Sequence, residues 1–434
     1  MTVPAAPTPE FAPANATTSH GLWGGALVLS LLLLAGCSGS SSAPPEGGTD
    51  GLLPVSATQV DASEVNAGGA QATVADASTN AFGRPAPGLS FISKGLFENG
   101  NHLFRTPRGR ERGTGPMLNA QSCQGCHVLD GKGNPPRSAQ APLAPDTDLV
   151  SMLLHLGLAD TGQPDPVYGN QLQIRSMYGG PDDPDGQPRL HGSLNGGPAL
   201  GEARVRIIYE PVNGSYPDGT TYELLQPVYR LSELSYGPMA ENIRFSPRVA
   251  PGLYGNGLLG AIDAQAIQAG ADPDDADGDG ISGRANIVPD PVTGQDQLGR
   301  FGHKADSASV LTQSARAYRN DMGLTNRFQP EESCTPTQTA CLAAAELEQP
   351  AAHEPEGVDI ADLDLAQVEF YARTLAVPQR RGWDAANQRW SDDIQRGREQ
   401  FFNIGCTGCH TPRWQTGTAA GSVLGDASLL TSLT

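Results

Sequence analysis

The chain is poor in aromatic residues and in positive charge. Aromatic side chains make up 6% of its 434 residues and charged side chains 17%, and 28 Lys and Arg stand against 47 Asp and Glu. The net charge of −19 would repel a phosphate backbone, so binding to nucleic acid is disfavoured. The sequence has no G-x-y repeat, which excludes collagen despite 53 Gly and 36 Pro. The 38% apolar content still allows a substantial core joined by turn-rich connections.

Cysteine is also scarce, and its odd count of seven shows that the cysteines cannot all pair with one another. One of them ends an uncharged, Leu-rich run over 21–36, and the sequence Leu-Ala-Gly-Cys37 resembles a bacterial lipobox. The run is shorter than the roughly 20 apolar residues of a membrane span and suits a signal peptide. We predict a lipoprotein signal peptide over 1–36, lipidation at Cys37 and a flexible tether over 37–80. An uncleaved short anchor and a buried helix are the alternatives.

Four further cysteines form two C-x-x-C-H motifs, the attachment signature of c-type haem. The motif residues are Cys123, Cys126 and His127, and Cys406, Cys409 and His410. Two thiols on one helical turn can each form a thioether with a haem vinyl group, and the following imidazole is then placed as the proximal iron ligand. We therefore predict two covalently bound haem c groups, attached outside the cytoplasm. A four-cysteine zinc site, a thioredoxin-like redox pair and structural cysteines are the competing interpretations.

The remaining two cysteines, Cys334 and Cys341, lie in a segment rich in Gln, Thr and Ala. In an exported protein a short-loop disulfide is the default for such a pair. We predict that the two are joined and that the bond is structural.

The sequence before each haem motif repeats one spacing. Gly100 precedes Phe104 by four residues, and Gly397 precedes Phe401 by four residues. The segment around the second pair is typical of the opening helix of a cytochrome c domain. The repeat predicts two cytochrome c-like units, one for each haem.

The fold class that we predict is mainly α. The first cytochrome c-like domain would cover 81–385 with a long, loop-rich central insertion, and a partial second domain would cover 386–434. In the insertion, 149–158 has helical character, whereas 204–209 and 221–229 alternate as the strands of a small β insertion. Further helices are expected over 253–268 and 362–375.

An acidic loop in the insertion matches the first half of an EF-hand calcium loop. Its carboxylates are those of Asp275, Asp277 and Asp279. Positions nine and twelve of the calcium loop are Gly283 and Asn286 here, so the Glu that normally binds Ca²⁺ through both carboxylate oxygens at position twelve is absent. Binding of Ca²⁺ with ligands from elsewhere in the chain and a simple Asp/Gly-rich turn both remain open.

The order of several sequence blocks resembles the bacterial di-haem cytochrome c peroxidase superfamily. More closely, it resembles a branch of di-haem peroxidases often labelled "thiol oxidoreductase". Besides the two C-x-x-C-H motifs, the similarity rests on the blocks 246–251, 257–262, 277–284, 298–302 and 320–323. The resemblance implies an oxidoreductase that reduces hydrogen peroxide with electrons from a small soluble cytochrome or copper protein. It implies that peroxide binds at the haem on His127 and that electrons enter at the haem on His410.

Two features depart from that family. The branch usually has a Trp after Phe-Gly, which relays electrons between the haems, whereas here His303 follows Gly302. A histidine could instead ligate iron or move protons, so His303 is a candidate distal or relay group. The chain also stops at Thr434, 24 residues after His410, whereas the family continues with a Met suited to be a distal ligand. We expect a C-terminally truncated chain, with a naturally minimal second domain as the alternative.

The sequence leaves the distal groups and the exact activity open. The candidate distal groups are His102, His155, His191 and His303. A non-enzymatic electron-transfer cytochrome and a di-haem oxidase of another substrate are alternatives to a peroxidase. The export signal predicts a periplasmic protein anchored by lipid to a bacterial membrane, expected to be the outer membrane.

Overall fold

The computed structural model describes residues 55–134, 151–177, 199–347 and 357–417. The α-helices are α1 Gly69–Ala72, α2 Phe91–Arg105, α3 Cys123–Cys126, α4 Asn256–Ala261, α5 Ala264–Gln268, α6 Val310–Met322, α7 Thr339–Leu347, α8 Asp362–Thr374 and α9 Asp392–Asn403. The strands are β1 Thr73–Val74, β2 Met117–Leu118, β3 Met152–Leu158, β4 Arg175–Ser176, β5 Ala199–Leu200, β6 Arg204–Ser215, β7 Thr221–Ser232, β8 Ile243–Val249, β9 Ile287–Asp290, β10 Gln295–Leu298, β11 Val377–Pro378, β12 Trp383–Asp384 and β13 Arg389–Trp390. Both kinds of element contribute, and the mainly α fold and its two-domain division stay predictions.

Three helices, α2, α6 and α8, build the larger apolar core. Ser90 caps the N-terminus of α2 and Ser309 caps that of α6, each accepting a backbone N–H at its hydroxyl. Phe97 on α2, Tyr318 on α6 and Tyr371 on α8 are almost fully buried in this core. The three helices thus form one apolar unit, which also contacts the first haem motif through Cys123.

Helices α2 and α8 approach each other backbone to backbone at Gly100. A Cβ at this position would lie 2.7 Å from the Cβ of Tyr371 and closer still to the carbonyl oxygen of Gln367. The Tyr371 ring then packs between Phe97 and Phe104, with ring centroids 4.7 and 5.2 Å away. Only glycine permits this close crossing, which explains the glycine at position 100.

A second apolar core lies in the central region, between two antiparallel strand pairs. Strand β3 pairs with β8 from Met152 opposite Val249 to Leu158 opposite Ile243. Strands β6 and β7 form a long hairpin whose base packs on the same core. The prediction of helical character over 149–158 was therefore wrong for β3. Burial alternates along β3 with the two-residue period of a strand, and the partner that fixes this period, β8, is about 90 residues away in sequence.

The other elements expected in the insertion are close to their predicted bounds. The hairpin expected over 204–209 and 221–229 spans β6 and β7, and the helix expected over 362–375 is α8. The helix expected over 253–268 is divided into α4 and α5. Ile262 is extended, and the Asp263 carboxylate accepts the N–H of Gln265 at 2.7 Å and so starts a new helix.

The segment before α2 is packed against the end of α8. Val65 and Ala72 are buried, and β1 runs parallel to β11 with Thr73 opposite Val377. The structure thus differs from the flexible tether expected over 37–80, because the described part of that segment has apolar side chains that are buried. The predicted signal peptide and Cys37 lie outside the described residues.

Within the four described ranges, no helix is long and apolar enough to cross a bilayer.

Candidate functional site

The first C-x-x-C-H motif forms one helical turn. The Ser122 hydroxyl caps this turn by accepting the N–H of Gly125 at 3.2 Å, and the His127 N–H bonds the carbonyl of Cys123 at 2.9 Å. The thiols of Cys123 and Cys126 are partly buried and are not joined in a disulfide. The turn therefore presents two free thiols and an imidazole together, as haem attachment requires.

The two thiols are poor candidates for disulfide exchange. Burial raises the pKa of both Cys123 and Cys126 to about 12. Exchange-active cysteines have a lowered pKa, because the thiolate is the nucleophile. This environment argues against the thioredoxin-like interpretation of the first motif.

The cysteines of the two motifs do not share a metal site. Across the described part of the chain, the one cluster of three or more His, Cys, Asp or Glu side chains close enough to hold an ion is Asp272, Asp275 and Asp277. The four motif cysteines are therefore not arranged as a tetrahedral zinc site.

A cavity of about 290 Å³ opens beside the first motif, and Cys123, Cys126 and His127 line it. Its apolar walls come from α2, α6, α8 and the segment after β8. The charged and titratable groups around the rest of the wall are His155, Arg248, Arg300, His303, Asp306, Arg316, Tyr318 and Asp321. An apolar cleft with a few convergent polar groups is typical of a cofactor site. The walls suit a flat porphyrin, and the arginines suit its carboxylates, so these residues fit a haem.

The His127 imidazole is held by backbone carbonyls. Its Nδ1 lies 3.4 Å from the carbonyl oxygen of Gly131, and the Phe104 ring centroid is 6.1 Å away. Burial lowers the pKa of His127, and interactions with the carbonyls of Gly131 and Pro251 and with Asp130 partly oppose the decrease. A hydrogen bond from Nδ1 fixes the tautomer and leaves Nε2 for a metal.

Two of the four candidate distal histidines line this cavity. His155 lies on β3, and burial together with the charge of Arg248 lowers its pKa to about 4. The Nε2 of His303 is 2.9 Å from the carbonyl oxygen of Val249, which restrains that ring. His102 is on the exposed face of α2, away from the cavity wall, and His191 lies outside the described residues.

A buried polar network supports the cavity on the side of the motif cysteines. Gln171 donates from Nε2 to the Asp321 carboxylate at 2.8 Å, and Gln173 donates to the carbonyl of Asn320 at 2.7 Å. Asn119, four residues before Cys123, donates to Gln173 at 2.8 Å. Burial raises the pKa of Asp321 to about 6. The network ties the loop before the motif to α6 and to the central region.

The second motif repeats the local geometry of the first. Gly405, in the left-handed region at φ 84°, ends α9, and a short turn over Cys406–Gly408 follows. The His410 N–H bonds the carbonyl of Cys406 at 3.0 Å. The Phe401 and His410 rings are 5.8 Å apart and tilted by 55°, against 6.1 Å and 50° for the corresponding pair at the first motif.

The match to a family model agrees with this geometry. A model described as "di-haem oxidoreductase, putative peroxidase" matches residues 60–432, a range that contains both motifs. The chain belongs to the di-haem oxidoreductase family. Membership confirms the resemblance to the di-haem peroxidase superfamily and implies haem as the cofactor. No curated protein and no solved structure matches the chain.

The acidic loop of this di-haem oxidoreductase lies against its second motif. The space beside Gly408 is filled by the side chains of Ile281 and Asp279. Carboxylate oxygens of Asp272, Asp275 and Asp277 lie within 4.8 Å of one another. Asp279 is outside this group, and its Oδ1 accepts the N–H of Ile281 at 2.8 Å. The three expected carboxylates are thus not the three that converge.

Sequence reasoning missed several groups of the di-haem oxidoreductase cavity. Arg248 and Arg316 enter it from β8 and α6, and Gln171 and Asp321, which are hydrogen-bonded to each other, also line it. Arg248 lies inside a block that resembles the family, which was a signal that could have identified it. Asp321 also lies inside such a block, at 320–323, whereas Gln171 and Arg316 carry no local pattern. The disulfide between Cys334 and Cys341 is formed, with a Cα–Cα distance of 5.8 Å.

Proposed function

We propose that this chain is an exported di-haem c-type cytochrome that reduces hydrogen peroxide. One haem c is attached to Cys123 and Cys126 with His127 as its proximal ligand, and it is the peroxide site. The other is attached at the second motif, with His410 as its proximal ligand, and it receives electrons from a small redox protein. The observation that carries the proposal is the cavity that brings His155 and three arginines together with His127.

Peroxide reduction needs groups that move a proton and balance charge. One H₂O₂, two protons and two electrons give two water molecules, and a haem supplies the iron at which the O–O bond breaks. His155 is neutral at pH 7, since its pKa is lowered to about 4, so it can accept the peroxide proton and return it to the leaving oxygen. Arg248 and Arg316 stabilise the negative charge that develops.

Arg316 and His303 are each held in place by hydrogen bonds of their own. Arg316 donates from Nη1 to the carbonyl of Asp306 at 2.8 Å and to the Ser307 hydroxyl at 2.9 Å. His303 is restrained by its contact with the Val249 carbonyl. His155, by contrast, has no hydrogen bond from its ring within the described ranges. We therefore assign proton transfer to His155 rather than to His303.

Covalent haem attachment is tested first. The purified, denatured protein should carry two haems per chain by its alkaline pyridine spectrum. C123A/C126A and C406A/C409A should each retain one haem after denaturation and acid-acetone extraction. A wild-type chain that releases all its haem on extraction would contradict c-type attachment.

The peroxide assignment is tested by turnover with a reduced small cytochrome. H155A should lower peroxide turnover roughly 100- to 10,000-fold, the usual contribution of a positioned acid–base group. H102A is the matched control, because His102 is an exposed histidine outside the cavity. Equal turnover in H155A and the wild type would contradict the proton-transfer role. Two low-spin haems inert to peroxide would favour the electron-transfer cytochrome, and oxidation of another substrate would favour the oxidase.

The electron donor is proposed from charge. A net charge of −19 steers a basic soluble cytochrome or copper protein toward the chain. Turnover should fall steeply with ionic strength for a basic donor, whereas for an acidic donor it should rise, because salt screens the repulsion. A donor preference of the opposite sign would contradict this part of the proposal.

Export and anchoring are proposed from the N-terminal sequence, which lies outside the described residues. Labelled palmitate should be incorporated into the wild type and not into C37A, and the wild type should fractionate with the outer membrane. Labelling of C37A equal to that of the wild type would contradict lipidation at this cysteine.

Calcium binding is proposed at the acidic loop. Ca²⁺ ligands lie 2.3–2.6 Å from the ion, so oxygens within 4.8 Å of one another can share one. Isothermal titration with Ca²⁺ alone should show one site in the wild type and none in D272N/D275N/D277N. If the wild type shows no measurable heat of Ca²⁺ binding, or if the variant binds Ca²⁺ equally well, the calcium site is contradicted and the segment is a simple Asp/Gly-rich turn.

A further inference from the structure

The hairpin of β6 and β7 extends beyond the core on which its base packs. Val205 and Ile207 are buried at the base, whereas most side chains beyond the pair of Glu210 and Gln226 are exposed on both faces. Among the described strands, β6 and β7 pair only with each other. A two-stranded hairpin is at best marginally stable in water on its own. The outer half of this hairpin is therefore a surface that a partner would stabilise.

Pairing with another strand is disfavoured along both edges of the hairpin. Pro211 lies on β6 and Pro227 lies on β7. A proline has no N–H, so each edge lacks a donor that an added strand would need. A partner is thus expected to meet a face of the hairpin rather than an edge.

One face of the outer half is apolar. Residues directly opposite each other in an antiparallel pair project from the same face, so Val212 and Leu224 lie side by side. Val212 is 41% exposed and Leu224 is 59% exposed. Tyr216, which is 58% exposed, extends the patch toward the turn. We call the surface that carries these three residues the hairpin face.

Two tyrosines order the outer end of the hairpin face. Tyr222 is opposite Gly214, and a Cβ on Gly214 would lie 2.3 Å from the Tyr222 ring. The ring centroids of Tyr216 and Tyr222 are 5.0 Å apart, and the rings are tilted by 56°. Tyrosines that already hold each other in place lose little conformational entropy when they bind a partner. Such aromatic groups are enriched at protein interfaces.

The charges of the hairpin face are separated along its length. Arg206 is opposite Arg230 at the base, both are exposed, and neither forms an ion pair with another described residue. Like charges in this position destabilise an antiparallel pair unless an anion meets them. At the tip, Asp218 is exposed, and its Oδ1 accepts the N–H of Thr220 at 2.9 Å. One end of the face is therefore positive and the other is negative.

This charge pattern complements itself. Arg206 precedes Val212 by six residues, and Asp218 follows Val212 by six residues. A two-fold axis through the row of Val212 would therefore place the positive base of one face on the negative tip of another and the apolar patch on itself. An anionic bilayer, by contrast, would repel Asp218 at the tip.

The net charge of the hairpin also favours a second copy. The three arginines and the three acidic residues over 204–232 cancel, although the whole chain has a net charge of −19. Two copies repel each other over most of their surfaces, and at the hairpin this repulsion is absent.

We propose that the hairpin face docks against the hairpin face of a second copy of this chain and forms a two-fold symmetric dimer. The interface is isologous, so the base of each hairpin binds the tip of the other. The haem cavity takes no part in it, so the dimer stands or falls independently of the proposed peroxide activity.

The test is the dimer dissociation constant of the full-length holoprotein, measured by sedimentation equilibrium in a density-matched detergent. V212D/L224D should raise this constant at least roughly 30-fold, as the loss of central apolar contacts does. F91D/I92D is the matched control, because it replaces two exposed apolar side chains on α2 and adds the same charge. It should leave the constant unchanged.

A charge exchange separates recognition from structural damage. R206E/R230E places negative charge at both ends of the face, and D218K places positive charge at both ends, so each should weaken the dimer. R206E/R230E/D218K should restore it, because the base and the tip again have opposite signs. Damage to the hairpin would instead accumulate in the triple variant. Far-ultraviolet circular dichroism should be the same for all variants.

Several outcomes would overturn the inference. It fails if the wild type is a monomer, or if V212D/L224D dimerises as tightly as the wild type. It also fails if R206E/R230E/D218K is no tighter than R206E/R230E. Vesicles of phosphatidylglycerol test the lipid alternative in the C37A background. Binding to them that requires Val212 and Leu224 in a monomeric chain would assign the face to a membrane and contradict the dimer.

Discussion

The crossing of α2 and α8 at Gly100 can be tested with a single methyl group. In G100A the new Cβ would lie 2.7 Å from the Cβ of Tyr371 and closer still to the carbonyl oxygen of Gln367. That oxygen is backbone, so it can withdraw only if α8 itself moves. The substitution must therefore separate the two helices that enclose the first haem motif.

The magnitude follows from two opposing effects. Ala is a better helix residue than Gly by about 1 kcal/mol, which would favour the variant. Overpacking a tight contact costs about 1–3 kcal/mol, and here the contact is with backbone, so we take the upper part of that range. The net expectation for G100A is a loss of about 1–2 kcal/mol in the free energy of unfolding.

Gly95 provides the matched control on the same helix. It is exposed, and a Cβ there would meet nothing within 4 Å of the described atoms, so G95A should gain up to about 1 kcal/mol. Urea unfolding of the holoprotein, followed by far-ultraviolet circular dichroism and by the haem band, measures both variants. If G100A is as stable as G95A, the close crossing is not the reason for glycine at position 100.

Two further predictions concern buried charge. The Arg373–Glu369 pair on α8 is buried, with Nε and Oε1 2.7 Å apart. R373M leaves Glu369 unpaired and should therefore lower the free energy of unfolding in urea by about 3–5 kcal/mol. The double variant R373M/E369L should recover most of this loss. If R373M alone is neutral, the pair does not stabilise the core. Burial raises the pKa of Glu202 from 4.5 to about 8. Between pH 4.5 and pH 8 the folded state therefore keeps this carboxyl protonated, whereas the unfolded state has released the proton. Stability should therefore fall as pH rises from 4.5 to 8, and E202Q should flatten this dependence in urea midpoints measured at pH 5 and pH 8. Parallel curves for the two proteins would contradict the burial of this acid as the cause.

The sequence predicted the local elements well wherever a short segment contains its own signal. The helix over 362–375 and the hairpin strands around 204–229 are close to their observed bounds. It failed at β3, whose apolar residues fit a helix until β8 pairs with them. Strand β8 is remote from β3 in sequence, so no short segment of the chain contains the pairing that makes β3 a strand.

The candidate site divides in the same way. The C-x-x-C-H motifs could be recognised in the sequence because covalent attachment and proximal ligation need residues within one helical turn. The choice of His155 and His303 over His102 depended on which wall each side chain enters. The calcium expectation shows the same limit, since Asp272 joins the cluster and Asp279 turns away from it.

The sequence by itself identified the two C-x-x-C-H motifs and the family, because each is set by neighbouring residues or by a fixed order of short blocks. Only the tertiary structure decided what surrounds the first haem site. Arg248, His155 and Arg316 come from β8, β3 and α6, and they meet only when the chain folds around the cavity.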